Sequence, residues 1–96
     1  MTEHSPATAW RTRLRAELSA ARTARHSVRI AAVRSALAAI DAVRGELSDE
    51  QIFELVEAEI AGRLDAADIV RTHGQHMRAE SLRAEAEVLS DLLWCA

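Results

Sequence analysis

The stretch from Arg25 to Arg44, RHSVRIAAVRSALAAIDAVR, restricts the fold more than any other part of the chain. With helical periodicity, Ile30, Val33, Leu37 and Ile40 form one heptad-spaced stripe, and Val28, Ala32, Ala36, Ala39 and Val43 form a second. Only Arg34 and Asp41, seven residues apart, mark a wet strip. A helix with so little polar surface is enclosed by other helices, so the segment predicts the buried hub of a small helical domain. Beta-branched and aromatic residues are few, and Pro6 is the single proline. Both facts point to an all-α chain. Ninety-six residues suit one domain. Much of the hydrophobic content is alanine, which makes a thin core that dimerisation would help to stabilise.

The rest of the chain supplies partners for the hub. Residues 1–6 read as a disordered tail, with Pro6 just ahead of a helix or in its first turn. A first helix is predicted over residues 7–24, with Trp10, Leu14, Leu18 and Ala21 on one face and Arg11, Arg15 and Arg22 along the flank. Neither Gly nor Pro marks its end; Thr23 or Ser27 would cap the next helix. Gly45 would close the hub helix. Ser48 with Gln51 forms a capping box, and Asp49 and Glu50 suit the positive end of the helix dipole. The third helix, residues 49–72, is predicted to turn Ile52, Phe53, Val56, Ile60, Leu64, Ala67 and Val70 inward and Glu54, Glu57, Asp65 and Asp68 outward. Glu59 and Arg63 are spaced for an ion pair at the helix interface. After Gly74, a fourth helix over residues 76–93 carries Leu82, Ala86, Leu89 and Leu93, with Val88 and Leu92 beside them. The expected architecture is therefore a compact four-helix domain over residues 7–94, made of two helical hairpins.

Charge divides at the same boundary. Residues 1–45 carry eight arginines against Glu3, Glu17 and Asp41, a net of +5, whereas residues 46–96 carry four arginines against twelve acids, a net of −8. The simplest account is a basic hairpin packed by complementarity against an acidic one. The functional account is that the arginines meet an anion such as RNA, since phosphate binding needs such rows.

Catalytic patterns are sparse. No Glu-x-x-His pair of the di-iron bundles occurs. His73 and His76 flank Gly74 without a cysteine or carboxylate at ligand spacing, so they read as a solvated turn, and neither a metal nor another cofactor is expected. His4 and His26 have no visible partner. Cys95 lies at the C-terminal end of the last helix, the wrong end of the dipole to activate a thiolate. Gly-rich phosphate loops, zinc-finger spacing, an export signal and an apolar run long enough for a membrane span are also missing. A lone cysteine fits a reducing cytoplasm.

Four blocks in order carry a family resemblance: LRAEL at 14–18, ARHSVRIAAVRSALAAI at 24–40, ELSDEQIFELVEAEI at 46–60 and AEAEVLSDLL at 84–93. Over residues 10–93 the chain resembles the GatB/YqeY family, the domain shared with the B subunit of glutamyl/aspartyl-tRNA amidotransferase. The resemblance implies a compact helical domain with four main helices. Family members usually have Asp where His26 stands, are rich in Lys, which this chain lacks, and continue past a Tyr-Leu-Pro-like segment into a smaller helical tail domain associated with tRNA in the amidotransferase. Here that place reads Leu92-Leu93-Trp94, so the chain is expected to represent the first helical domain without the tail. The amidotransferase's kinase-like catalytic domain has no counterpart, so the resemblance transfers no catalytic residue.

The leading expectation is a non-catalytic, cytoplasmic binding or accessory module that works with tRNA or a tRNA-using enzyme through Arg11, Arg15, Arg22, Arg25 and Arg29. The alternative is a protein–protein adaptor or homodimer that uses Leu92, Leu93 and Trp94. The third, a metal-dependent enzyme built on His73, His76 and nearby acids, has the least in its favour.

Overall fold

A computed structural model describes residues 5–94. Four helices follow in order, α1 (Pro6–Thr23), α2 (Ser27–Asp41), α3 (Asp49–Thr72) and α4 (His76–Trp94), with no strand among the described residues. Two antiparallel hairpins, α1–α2 and α3–α4, pack through an apolar core. None of these helices is long and apolar enough to cross a membrane.

Local chemistry sets the boundaries. Pro6 occupies the first turn of α1 and the Ser5 hydroxyl accepts from the Thr8 amide at 3.2 Å. Pro6 thus takes the first-turn place expected of it and Ser5, expected in the tail, caps the helix, whereas residues 1–4 lie outside the described residues. The capping box at α3 is complete: the Gln51 amide donates to Ser48 Oγ (3.1 Å) and the Ser48 amide donates to Gln51 Oε1 (2.9 Å).

The first interhelix break has a different origin from the one expected. Arg25 takes φ 55°, the left-handed region. Around it the His26 amide donates to the Ala21 carbonyl (2.9 Å) and the Arg25 amide to the Arg22 carbonyl (3.1 Å), the paired bonds of a Schellman turn. Neither Thr23 nor Ser27 caps α2. His26 does, its Nδ1 accepting from the Arg29 amide at 3.4 Å. The same turn recurs after α3, with Gly74 at φ 81°, Gln75 N–H to Val70 O and Gly74 N–H to Arg71 O, both 2.9 Å.

The hub helix α2 is shorter than Arg25–Arg44 and touches each of the other three helices. Its Ala32, Val33, Ala36 and Ile40 are almost fully buried among Leu14, Leu18, Ile52, Val56, Leu89 and Leu92. Helix α3 also touches all three others, so the hub role is shared. Leu64, expected inside, is instead 45 % exposed. Beyond the main core, the distal part of the α3–α4 hairpin closes on a second, smaller cluster of Ala67, Ala79 and Leu82, flanked by Ala66 and Val70. The molecule is correspondingly elongated, 54 × 28 × 22 Å.

Candidate functional site

The basic flank begins with the periodicity of α1. Leu14 and Leu18 turn inward, which leaves Arg15 and Arg22 seven residues apart on the exposed side, while the left-handed turn holds Arg25 in solvent. Arg15, Arg22 and Arg25 have no ion-pair partner among the described residues. The other two candidates brace the hairpin. Arg11 Nε donates to Asp41 Oδ1 at 2.7 Å, tying the start of α1 to the end of α2, and Arg29 Nη2 meets half-buried Glu17 Oε2 at 3.2 Å. Each is therefore less available to a ligand than its sequence position suggested.

Arg13 was not expected to matter. Its guanidinium lies 5.1 Å from the centre of the Trp10 ring, a cation–π contact that the i, i+3 spacing of Trp10 and Arg13 would have signalled.

The distribution of ion pairs bears on the meaning of the charge split. Among the described residues every pair lies within one hairpin: Arg11–Asp41 and Arg29–Glu17 in the first, Arg63–Glu59, Arg63–Glu85 and Arg83–Asp68 in the second. The five ion pairs found among the described residues thus brace each hairpin internally. Between the hairpins lies an apolar core, and Ser35 Oγ of α2 donates to Glu59 Oε1 of α3 at 2.7 Å.

That hydroxyl belongs to the most enclosed polar group of the fold. The expected Glu59–Arg63 pair forms at 3.0 Å, and Arg63 Nε also donates to Glu85 Oε1 at 3.0 Å. Glu85 is only 8 % exposed. Its inward position could have been read from the Leu82–Ala86–Leu89 stripe on which it sits, and Ser35 from its place beside Ala36 on the hub. Both carboxylates share one guanidinium, and no buried side-chain N or O is left without a partner among the described residues. The cluster satisfies itself, as buried charge must.

At the other candidate surface, Leu92 is 3 % exposed and belongs to the core. Leu93 is half-buried against the same core. Trp94 is 68 % exposed and stands edge-on to Phe53, with ring centres 5.1 Å apart at 82°.

The histidine turn is explained by backbone geometry. His73 Nδ1 lies 2.9 Å from the Ile69 carbonyl at the end of α3, and His76 begins α4. No group of three or more His, Cys, Asp or Glu able to hold a metal occurs among the described residues, while Cys95 and His4 fall outside them.

Residues 11–94 match the model of the family described as Yqey-like protein. No curated protein and no solved structure matches the chain.

Proposed function

Starting from the fact that the chain belongs to the Yqey-like protein family, we propose that it is a non-catalytic helical module, acting in the cytoplasm, whose basic hairpin contacts tRNA or the tRNA carried by an enzyme that uses it. The observation that carries this reading is the trio Arg15, Arg22 and Arg25: exposed, on one hairpin, and engaged in no ion pair with a described residue. Arg11 and Arg29 support the surface rather than form it, because each holds α1 to α2.

The test is a titration of folded protein with tRNA at low and at high salt. Three phosphate contacts give a slope of log affinity against log salt of about −2 to −3. Replacing Arg15, Arg22 and Arg25 together by Gln should remove most of that slope, and the exposed positions should leave the fold intact. Absence of binding at low salt, or binding indifferent to the triple substitution, would defeat the reading.

A further inference from the structure

The N-terminal half of α3 carries a charge pattern that the fold itself leaves unrelieved. Glu50, Glu54 and Glu57 lie at i, i+4 and i+7 on one face, and Phe53 stands among them. Like charges at these spacings repel. Asp49 and Glu50 have a local reason to be there, at the positive end of the helix dipole. Glu54 and Glu57 do not, and neither has an ion-pair partner among the described residues.

Two clefts adjoin this face. One, of about 420 Å³, is lined by Phe53 with Asp49, Glu50, Glu54 and Glu57. The other, of about 310 Å³, is apolar and is lined chiefly by Val43, Leu47, Leu55 and Ala58. Glu54 stands in the wall of both. Trp94, largely exposed, stands edge-on to Phe53, which lines the first cleft. A large exposed aromatic, a row of unpaired carboxylates and an adjoining apolar groove are the complement of a helix with arginines or lysines on one face and aliphatic residues on the other.

We infer that this face of α3, with Trp94, is a docking surface for a basic amphipathic segment of a partner protein. The aliphatic side chains of the segment enter the Val43–Leu55 groove, its cations face Glu54 and Glu57, and one of them lies on the Trp94 ring. The surface belongs to the acidic hairpin, whereas the proposed RNA contacts belong to the basic one, so both could be occupied at once and the two proposals stand or fall separately.

The probe is a short synthetic helix with Leu along one face and Arg along the other, followed by the fluorescence of Trp94 in a Trp10→Phe background. Trp94→Ala, read by calorimetry, should weaken binding about three- to tenfold, the range of a cation–π contact. Glu54→Gln with Glu57→Gln should weaken it at least as much, and a peptide with Glu in place of Arg should not bind. Asp65→Asn with Glu87→Gln, equally exposed acids elsewhere on the same hairpin, should leave the affinity unchanged. Equal weakening by both acid pairs would reduce the interaction to diffuse charge attraction and overturn the proposal. So would binding indifferent to Trp94→Ala, absence of binding, or sedimentation showing that a second copy of the chain covers Trp94.

Discussion

The α1–α2 and α3–α4 hairpins are closed by the same hydrogen-bonded turn, yet Arg25 holds the left-handed position in one and Gly74 in the other. They also differ in bracing. The ion pairs of the first hairpin are exposed or half-buried, whereas the second surrounds Arg63 with Glu59 and a buried Glu85. One backbone geometry is thus reached once against residue preference and once with it. Similar ion-pair distances, 2.7 to 3.2 Å, carry different energetic weight because burial differs.

The contrast in bracing predicts the largest effect. Arg63→Met leaves two carboxylates, one of them buried, without a counter-charge, and should lower unfolding stability by about 3 kcal/mol. Adding Glu85→Met should return most of that loss, because an apolar pair of similar volume replaces the ionic one. Arg11→Met should cost less than about 1 kcal/mol, as an exposed pair does. Urea unfolding of the three variants compares the hairpins directly, and equal losses for Arg63→Met and Arg11→Met would erase the distinction.

The turns predict smaller shifts of opposite sign. Gly74→Ala places a Cβ in the left-handed region and should destabilise by about 1 kcal/mol. Arg25→Gly removes that strain, and after the added chain entropy of glycine about 0.5–1 kcal/mol of stabilisation remains. If Arg25 also contacts RNA, the same variant melts at a higher temperature while binding tRNA more weakly, an outcome that separates folding from function. At the small end, Gly62 lies mid-helix in α3 with open space around its Cα. Gly62→Ala should add about 0.5–1 kcal/mol, measurable by thermal unfolding.

Most of the fold was legible because periodicity and caps agree in this chain. The Ser48–Gln51 box fixed the start of α3, Gly74 fixed its end, and the stripes on all four helices named most of the core. The first turn was hidden, since a Schellman turn is read from glycine and Arg25 gives no such sign. His26 likewise caps α2 through a ring nitrogen rather than the usual short polar side chain. Leu64 was misplaced because periodicity tells which face a residue occupies, not whether another side chain covers it there. At the candidate site, the arginine row could be seen, but its division into two braces and three exposed residues required Asp41 and Glu17, which are thirty and twelve residues distant from Arg11 and Arg29.

The second, alanine-rich cluster at the far end of the α3–α4 hairpin has a consequence for motion. Ala67, Ala79 and Leu82 remove little apolar surface from water, and neither α1 nor the main core reaches them. That end should open as a local unit, well below the energy of global unfolding. Amide hydrogens near His73 should then exchange, and a protease should nick the turn, while those of Ile52 and Leu89 remain protected.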